Sequence, residues 1–370
     1  MTDWIGTAED VAGQLRADAA QRDRANQPPG AEIELLRSSG LLRAGEAADE
    51  VTRIISAADA SVGHLIGYHY LHLWRASLFD NDVALQRMHA NPEWLWAGVS
   101  NPLDAALQLT PTDDGLVVDG RKTFATGASV ADKLVVSATR VDTDEKLTFT
   151  VDARAEGISY LSDWDNIGQR QTASGGIVFD SVLIDDDDVL GVQHEASIRL
   201  SLAALGFQLA LSQVYVGIAV GALAEAADYT RELTRPWFLS NVDKATDDPY
   251  ILGGYGELVA AVEAAGLLAD KASMALKAAT ADGADLTPER RASTAVTISA
   301  AKVMATKVVN ETTSKIFEFV GARATASKYG FDRFWRNART LTLHDPVTYK
   351  AREVGAYFLT GEHPPFTGYS

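Results

Sequence analysis

The 370-residue sequence contains no cysteine, so neither a disulfide framework nor a thiolate metal site can form. Basic residues are few as well: 33 Lys and Arg stand against 50 Asp and Glu, a net charge of -17. This balance argues against nucleic acid or an anionic membrane as the main partner. The longest apolar stretch, 214–224, is far shorter than the roughly 20 residues that span a bilayer, and residues 1–10 lack a secretory-signal pattern. We therefore expect a cytoplasmic protein.

Hydrophobic residues make up 46% of the chain, enough for a large core, and their pattern changes twice along the sequence. Helical periodicity predominates in 1–92, where Thr7 and Asp10 resemble a capping box. Short β-rich runs predominate in 93–192, and long apolar helices predominate in 193–370. We predict three domains with these limits: helical, β and helical.

The middle segment shows turn and strand signals typical of a small, mostly antiparallel β-domain. Asp-Gly pairs at 114–115 and 119–120 predict two turns around a short strand at 116–119. Further strands are predicted at 134–138, 147–151 and 177–184. The acidic run 185–188 that follows predicts a solvated loop.

The C-terminal segment is predicted to be helical throughout. The run 200–229 is apolar on nearly every face, as expected for a helix buried on all sides. Thr287-Pro288 predicts a helix start, with proline at the first helical position. The glycine cluster 253–256 is not a dinucleotide-binding fingerprint, because no parallel βαβ unit surrounds it, and it is interpreted as another helix start.

Two motifs in the middle segment carry the side chains that a flavin needs. Trp164 offers a flat apolar surface for an isoalloxazine ring, and the Thr172 and Ser174 hydroxyls offer hydrogen bonds near its N5 and carbonyl edge. In 120–128, a strand ends in a small-residue turn that lets backbone amides and the Thr126 hydroxyl approach a ligand closely. Taken one at a time, these patterns also fit a core tryptophan, an ordinary loop and a hairpin.

Together the two motifs resemble those of the acyl-CoA dehydrogenase superfamily. Its Gly-x-Lys strand with a small turn is similar to 120–128, and its Trp followed by Gly-x-Arg-x-Thr-x-Ser is similar to 164–174. The resemblance covers nearly the whole chain and implies an α+β fold with an N-terminal helical domain, a middle β-barrel or sandwich domain and a C-terminal four-helix bundle. It also implies a set of flavin-binding residues: Phe124, Thr126, Trp164, Arg170, Thr172 and Ser174.

The C-terminal part favours one branch of this superfamily. Its dehydrogenases commonly carry a catalytic glutamate after an arginine-rich helix, whereas this chain has His344 there and no Glu. The segments 335–339, 343–346 and 369–370 resemble the reduced-flavin-dependent monooxygenase branch, and in particular the dibenzothiophene monooxygenase group. This resemblance implies that reduced flavin and O2 form a C4a-hydroperoxide, which oxygenates a small apolar, aromatic or sulfur-containing substrate.

The same resemblance implies catalytic roles for five residues. Thr126 is expected near N5, and His344, together with His64, is expected to donate a proton or to orient the substrate. Tyr68 and Asn101 are expected on the substrate side. Because His64 and Tyr68 are four residues apart, they share one helix face. A partly buried aromatic helix is the alternative interpretation of this pair.

The resemblance also implies which partners the protein has. Arg235, reaching across a subunit interface, and Arg323 are expected to bind the flavin phosphate, with surface salt bridges as the alternative. Because members of the superfamily usually form tetramers, the resemblance also implies a homotetramer. Since the chain has no nicotinamide-binding fingerprint, a separate flavin reductase is expected to supply reduced FMN; FAD is the alternative cofactor.

Other functions stay open at this point. His69 and His72 are three residues apart, but no third ligand has convincing spacing, so no metal site is expected. An acyl-CoA dehydrogenase-like oxidoreductase would need a base, and the nearest carboxylate is Asp345; a non-catalytic flavin-binding protein is also possible on this fold. The substrate stays open because Thr126 and Leu341 stand where the sulfur-oxidising group often has Ser and a second His.

Overall fold

The computed structural model describes residues 2–194 and 196–370, and it begins with a helical segment. The α-helices of this segment are α1 Trp4–Ala25, α2 Gly30–Ser38, α3 Ala48–Ala58, α4 Ala60–Ala76 and α5 Asp82–His89. The predicted capping box at Thr7 is wrong, because α1 begins before it. The cap is Asp3, whose carboxylate accepts a hydrogen bond from the Gly6 N–H at 2.9 Å.

Helix α4 is buried along almost its whole length. Asp59 separates it from α3: its backbone is extended, with φ -146°, and its carboxylate accepts hydrogen bonds from the N–H groups of Ser61 and Val62. This break redirects the chain so that α4 contacts β1 (Trp96–Val99) on one side and α6 (Leu202–Glu232) on the other. One helix therefore bridges the sheet and the C-terminal bundle.

The middle segment forms one mixed eight-stranded sheet, mostly antiparallel as predicted. The strands after β1 are β2 Leu107–Thr112, β3 Gly115–Lys122, β4 Lys133–Arg140, β5 Lys146–Asp152, β6 Ile158–Tyr160, β7 Ile177–Ile184 and β8 Val189–Val192. Their order is β6-β7-β3-β2-β4-β5-β8, and β1 pairs with β4. The parallel pairs are β1–β4 and β2–β4.

Strand β3 corrects one predicted turn. The Asp-Gly pair at 119–120 lies inside this strand rather than at its end. The register against β7 shifts between Val118 and Gly120, which is a β-bulge, and Gly120 has a φ of +131°. The Asp119 carboxylate accepts a hydrogen bond from the Ser181 N–H at 2.7 Å. Asp and Gly are common in turns, but at this position they form a bulge, because β3 continues to pair with β7 beyond Gly120.

The C-terminal segment consists of three long helices and two shorter ones. After α6 these are α7 Pro249–Ala281, α8 Pro288–Val320, α9 Asp332–Leu341 and α10 Val347–Thr360. Thr287 caps α8 as predicted, since its hydroxyl accepts from the Arg290 N–H at 3.2 Å. Helix α7 begins at Pro249, before the glycine cluster, so 253–256 lie within its first turns.

Two helices among the described residues are long and apolar enough to cross a membrane, by length and composition alone. Helix α6 is a core helix, since 78% of its apolar window is buried inside the protein. Helix α7 differs, because only 22% of its apolar window is buried. Its other face is exposed and carries large apolar side chains: Leu252, Val259, Leu267 and Met274. The protein therefore presents an apolar surface along α7.

The fold class is the predicted one. The sheet packs against the N-terminal helices in one hydrophobic core, and α6, α7 and α8 form a second core with residues of α4. Tyr68 and Leu71 of α4 belong to the second core, whereas Leu65 and Ile66 belong to the first. Helix α4 thus holds a fixed position between the two layers.

Candidate active site

A cavity of about 940 Å³ lies where α4, the sheet and the C-terminal helices meet. One face of α4, the loop between β6 and β7, the start of α6 and the segment after α9 form its wall. Cavities of roughly 300 to 1,000 Å³ are typical of small-molecule sites. This cavity is large enough for a cofactor with a planar ring system together with a small substrate.

Nine of the twelve site residues predicted from the sequence line this cavity. They are His64, Tyr68, Asn101, Phe124, Thr126, Trp164, Thr172, Ser174 and His344. Arg170, Arg235 and Arg323 do not line it. Arg235 and Arg323 are exposed, and Arg170 is half-buried with no hydrogen-bond partner for its Nε. The geometry therefore brings together the residues predicted to meet the flavin ring and the substrate, while the roles of all twelve stay predictions.

His64 is a buried, neutral histidine at the cavity wall. Its Nδ1 lies 3.2 Å from the Gln169 Oε1, and its Nε2 is buried without a partner. Burial lowers the pKa of His64 to about 3, although the hydrogen bond to Gln169 opposes the shift; the neighbouring His344 adds to the lowering. A neutral ring with an unpartnered nitrogen can hydrogen-bond to a ligand, but it is not a source of protons at neutral pH.

Tyr68 lies one helical turn after His64 on the same face of α4. Its ring meets His64 edge-on, with 4.3 Å between ring centroids, and meets Phe207 edge-on at 5.5 Å. Burial raises the pKa of Tyr68 well above its ordinary value, and the carboxylate of Asp345 adds to this. The phenol therefore keeps its proton and can serve as a hydrogen-bond donor, not as a base.

Three hydroxyl groups form a buried chain that ends at the cavity. The hydroxyl oxygens of Thr172 and Ser174 are 2.7 Å apart, and Ser174 donates to the Thr126 Oγ1 at 3.0 Å. The Gly127 N–H donates to the Thr172 carbonyl at 2.9 Å, which ties the two predicted motifs together. Because Thr126 accepts from Ser174, its own hydroxyl proton is left for a ligand.

Trp164 is held by its own loop. Its indole N–H donates to the Gln169 carbonyl at 2.8 Å, and its ring meets Phe124 edge-on at 6.1 Å. Three residues of this loop, Ser162, Gln169 and Ala173, have a left-handed backbone, with φ of +53°, +55° and +47°. This conformation is uncommon for residues other than glycine, and it clusters at ligand sites. The loop is therefore a strained structure that its surroundings must stabilise.

Helix α9 supplies that stabilisation. Gly168 lies so close to α9 that an added Cβ would stand 2.0 Å from the Arg336 carbonyl oxygen. The Asn337 Oδ1 accepts from the Gln169 N–H at 2.6 Å, and Arg336 donates to the Ile167 carbonyl at 2.7 Å. Part of the C-terminal motif 335–339 therefore acts by holding the tryptophan loop.

His344 is oriented by a buried ion pair. Its Nδ1 lies 3.1 Å from the Asp345 Oδ1, which also accepts from the Lys302 Nζ at 2.6 Å. Burial alone would raise the pKa of Asp345, but the His344 hydrogen bond and the Lys302 ammonium outweigh burial and hold this pKa below its ordinary value. Asp345 is thus an anion that accepts from Nδ1, and the His344 Nε2 is the nitrogen left to exchange a proton.

The last residues of the chain cover the His344 side of the cavity. The Tyr369 ring lies 5.9 Å from the His344 ring, and the Tyr369 carbonyl accepts from the Gln208 Nε2 at 3.2 Å. Ser370 is buried and hydrogen-bonds to Glu353 and Lys350 of α10. The predicted 369–370 motif therefore fixes one wall of the site.

Asn101 shapes the loop on which it lies. Its Nδ2 donates to the Thr123 Oγ1 at 3.2 Å, and its Oδ1 accepts from the Leu103 N–H at 3.2 Å. The Lys122 Nζ donates to the Asn101 carbonyl at 3.0 Å. The side chain lines the cavity while it also positions this turn.

The described lining of the cavity includes no buried carboxylate that could act as a base. Among the described lining residues the only carboxylate is Asp165, and it is exposed. Asp345, the candidate base in the sequence, does not line the cavity and is engaged with His344 and Lys302. Among the described residues that line the cavity, none is a buried carboxylate that could abstract a proton, as dehydrogenation requires.

His69 has a structural role. Its Nε2 donates to the Leu42 carbonyl at 2.8 Å, and its Nδ1 accepts from the Trp96 N–H at 3.1 Å, so both nitrogens are used. Within residues 2–194 and 196–370, no group of three potential metal-binding side chains occurs.

Gln169 and Lys302 are among the residues of the site that were not predicted from the sequence, and Asn337 was noted only as part of the motif 335–339. Gln169 contacts both His64 and Trp164, and the adjacent Gly168 was the available signal, since glycine permits the close approach to α9. Lys302 is buried inside the 33-residue helix α8, and no local pattern distinguishes it from a surface lysine.

The comparisons with known proteins agree with this architecture. Two family models match, "Acyl-CoA dehydrogenase, middle domain" over residues 100–182 and "Acyl-CoA dehydrogenase, C-terminal domain" over residues 209–349. A dibenzothiophene monooxygenase of Rhodococcus erythropolis is 38% identical, over 98% of this chain and 94% of its own length. A probable FMNH2-dependent monooxygenase, SfnC of Pseudomonas putida, is 36% identical, over 99% and 97%. The structure of TdsC from Paenibacillus sp. A11-2 with FMN and indole superposes with a TM-score of 0.94 at 35% identity, covering 99% of each chain.

Fold and site together define an oxidoreductase of the acyl-CoA dehydrogenase fold, and the described residues that line its cavity include no buried carboxylate that could serve as the base of a dehydrogenase. The chain belongs to the acyl-CoA dehydrogenase superfamily and, within it, to the flavin-dependent monooxygenases that include dibenzothiophene monooxygenase. The predicted class of enzyme, a flavin-dependent monooxygenase, is confirmed by these relatives.

Proposed function

We propose that the cavity binds reduced FMN and uses O2 to oxygenate a small apolar substrate that is aromatic or contains sulfur. One observation carries the proposal: the Trp164 loop, the neutral His64 and Tyr68, and the oriented His344 all face one cavity, and none of its described lining residues is a buried carboxylate. The relative bound to FMN and indole, and the relative named for dibenzothiophene, support a flat aromatic molecule as the substrate.

The residues present fit a flavin ring. Trp164 and Phe124 offer apolar surface, and Thr126 offers the hydroxyl at the end of the buried chain. The buried Nε2 atoms of His64 and Gln169 have no partner in the protein. The Gln169 Nε2 can donate a hydrogen bond to a bound molecule, and the His64 Nε2 can accept one, because the neutral ring donates from Nδ1 to the Gln169 Oε1. We infer that Arg235, reaching from a neighbouring subunit, and Arg323 bind the flavin phosphate, and that Arg170 contributes to the flavin site. Reduced FMN, when bound, supplies the electrons that activate O2.

The side chains of this chain would hold and move the protons of the reaction. His344 is assigned the proton at Nε2, because Asp345 fixes its Nδ1 and because His64 is too weakly basic to be protonated at neutral pH. Tyr68 and His64 would orient the substrate by hydrogen bonding, and Asn101 would border it. The buried aromatic wall of α4 excludes water, which favours transfer of oxygen to the substrate over release of hydrogen peroxide.

The proposed partners follow from what the chain itself offers. A separate flavin reductase would supply reduced FMN, in line with the FMNH2-dependent relative. A homotetramer would cover the apolar face of α7 and would bring Arg235 of one subunit to the flavin of another. We place the enzyme in the cytoplasm, where NADH-dependent reductases operate.

The test replaces His344 by alanine in an assay with FMN, a flavin reductase, NADH, O2 and either dibenzothiophene or indole. We expect the variant to bind FMN and to consume O2, but to release hydrogen peroxide with at least about a tenfold loss of oxygenated product, because a positioned acid contributes about 100- to 10,000-fold. Product is measured by mass shift and peroxide by a peroxidase-coupled dye.

His363→Ala is the matched control, because His363 is exposed and does not line the cavity. It should couple O2 consumption to product like the wild type. If His344→Ala gave as much product per O2 as the wild type, the role of His344 would be refuted. If the wild type bound no FMN, oxidised or reduced, the proposed function itself would be wrong.

A further inference from the structure

One face of α4 presents a line of four side chains to the cavity: His64, Tyr68, His72 and Arg75. Spacings of four, four and three residues keep the line straight, and at 1.5 Å per residue it is about 16 Å long. The His64 end adjoins the tryptophan loop, whereas the Arg75 end adjoins β4, where Arg75 donates to the Ser137 Oγ at 3.0 Å. The proposed reaction uses the first two residues and gives no role to the last two.

Arg75 is a buried cation that has no counter-charge among the described residues. Its side chain is 4% exposed, its Nη2 is used by Ser137, and its Nη1 is buried without any partner. In the part of the chain that the structure describes, no carboxylate forms a salt bridge with it. Burial lowers the pKa of Arg75 to about 10, so the guanidinium is still charged at neutral pH. Burying an unpaired charge lowers the stability of the fold. A bound anion would supply the missing counter-charge.

Of the other five buried Lys and Arg side chains among the described residues, three are paired with carboxylates, and Lys122 donates to two backbone carbonyl oxygens. Lys302 has Asp345, Arg333 has Glu225 and Lys350 has Glu353. Arg291 lacks a carboxylate partner, but it donates to Ser201, lies over the Phe366 ring and does not line the cavity. Arg75 therefore combines burial, an unused donor and access to a ligand cavity.

His72 supplies a second unused polar atom beside Arg75. Its Nδ1 is buried without a partner, and burial, with Arg75 adding to the effect, lowers the pKa of His72 well below its ordinary value. The neutral ring is fixed against Gly98, where an added Cβ would stand 2.0 Å from the imidazole. His72 can therefore donate one hydrogen bond next to the guanidinium.

We propose that Arg75 and His72 form a subsite for an oxyanion of the substrate, a carboxylate or sulfonate group, while the apolar part of the same molecule reaches His64 and Tyr68. The guanidinium matches such a group because its fork of N–H donors binds planar or tetrahedral oxyanions. This inference rests on the proposed function and names the substrate class: an organic acid with an apolar, oxidisable end some 10 Å from its anionic end, as estimated from the seven-residue rise between Tyr68 and Arg75.

The test is a binding measurement on the flavin-free protein by titration calorimetry. The probes are ω-(phenylthio)alkanoates with three to eight carbons in the acid chain, and the primary amides of the same acids. An amide has nearly the shape of a carboxylate but no charge. In the best-binding member of the series we expect the acid to bind about 10- to 100-fold more tightly than its amide, the ratio expected for hydrogen bonds to a charged group.

Three variants test whether Arg75 causes the preference for the acid over the amide. Arg75→Met should reduce the acid-to-amide ratio to about one and leave amide binding unchanged, whereas Arg75→Lys should retain part of the ratio. Arg339→Met, which removes an exposed cation of helix α9 that lines the same cavity, should retain all of it. The ligand-free Arg75→Met protein should also melt at a higher temperature than the wild type, because an unpaired buried charge has been removed.

Two outcomes would overturn the subsite. One is a wild type that binds amide and acid equally, and the other is an Arg75→Met variant that keeps the preference for the acid. If Arg75→Met weakened FMN binding with an unchanged acid-to-amide ratio, Arg75 would belong to the flavin phosphate and the proposal would again be wrong. Absence of oxygenation of dibenzothiophene, indole and every thioether probe by the reconstituted wild type would instead refute the proposed function and leave the calorimetric result standing.

Discussion

At the scale of single residues, the ion pair of Lys302 and Asp345 governs how His344 is presented to the cavity. Both charged groups are almost fully buried, and they are separated by 2.6 Å. Burial lowers the pKa of Lys302, although the Asp345 anion opposes the shift. Such a pair adds little net stability compared with apolar residues, but breaking it leaves a buried charge. In this site the ion pair orients His344, because Asp345 holds its Nδ1.

Asp345→Asn tests this arrangement. The variant leaves Lys302 buried without a counter-charge, so the free energy of unfolding at pH 7 should fall by about 3 to 5 kcal/mol. The yield of product per O2 should fall as well, because His344 loses its anionic acceptor. Urea denaturation and the coupled oxygenation assay measure the two effects.

The control for this variant is Asp165→Asn, which changes the exposed carboxylate of the same cavity. It should alter stability by less than about 0.5 kcal/mol.

The stabilisation by Asp345 depends on pH. The pKa of Asp345 is lower in the folded than in the unfolded state, so its contribution to the free energy of unfolding is present above pH 4 and is lost as the pH falls below that value. An Asp345→Asn variant as stable as the wild type at pH 7 would show that Lys302 does not need Asp345 as its counter-ion.

At the scale of elements, the site depends on contacts between helices and a loop that are remote in the sequence. Helix α9 holds the tryptophan loop through Gly168 and Gln169, and α4 presents its line of side chains from the other side. The loop contains three left-handed non-glycine residues, so its conformation is unfavourable without these neighbours.

Gly168→Ala is predicted to displace the loop from α9. The new methyl group would stand 2.0 Å from the Arg336 carbonyl oxygen, and backbone cannot move aside without breaking the Asn337 hydrogen bond. We expect a loss of about 1 to 3 kcal/mol in stability and a markedly weaker affinity for FMN. Fluorescence titration with FMN and chemical denaturation provide the measurements.

Gly13→Ala is the comparison, because Gly13 lies in α1 with nothing near an added Cβ. This change should raise stability by about 0.5 to 1 kcal/mol through helix propensity, with FMN affinity unaffected. Equal FMN affinity in both variants would mean that close contact with α9 is not needed for the cofactor site.

Elements with strong local signals could be predicted from the sequence, and contacts between them could not. The strand at 177–184 and the start of α8 at Thr287-Pro288 follow from alternation and from capping chemistry. Asp119-Gly120 was misassigned because turns and bulges favour the same residues. Gln169 was missed because its importance arises from His64 and Asn337, which lie far from it in the chain.

At the scale of the whole molecule, three buried histidines make the fold sensitive to acid. Burial lowers the pKa of His64 to about 3 and that of His69 to about 4, and it lowers the pKa of His72 well below its ordinary value. In the unfolded chain each titrates near pH 6.5. The unfolded state therefore binds more protons below pH 6.5, so stability should fall as the pH falls, by about 1.4 kcal/mol per pH unit for each histidine.

Urea midpoints between pH 7.5 and 4.5 measure this slope. His69→Gln should make it shallower by about one third, since the amide can replace both hydrogen bonds of the ring without titrating. His363→Gln, at an exposed position, should leave the slope unchanged. A wild-type midpoint that stayed constant from pH 7.5 to 5.5 would contradict the assignment of these histidines as buried and neutral.

The hydrogen bond between Asn337 and Gln169 joins positions that are 168 residues apart. During synthesis at roughly 5 to 20 residues per second, the tryptophan loop leaves the ribosome about 10 to 30 s before helix α9. Over that interval the strained loop has no helix to hold it. The cofactor site thus matures last, and a nascent chain captures FMN only after its C-terminal helices have docked. Flavin loading becomes a marker of completed folding rather than an early step in it.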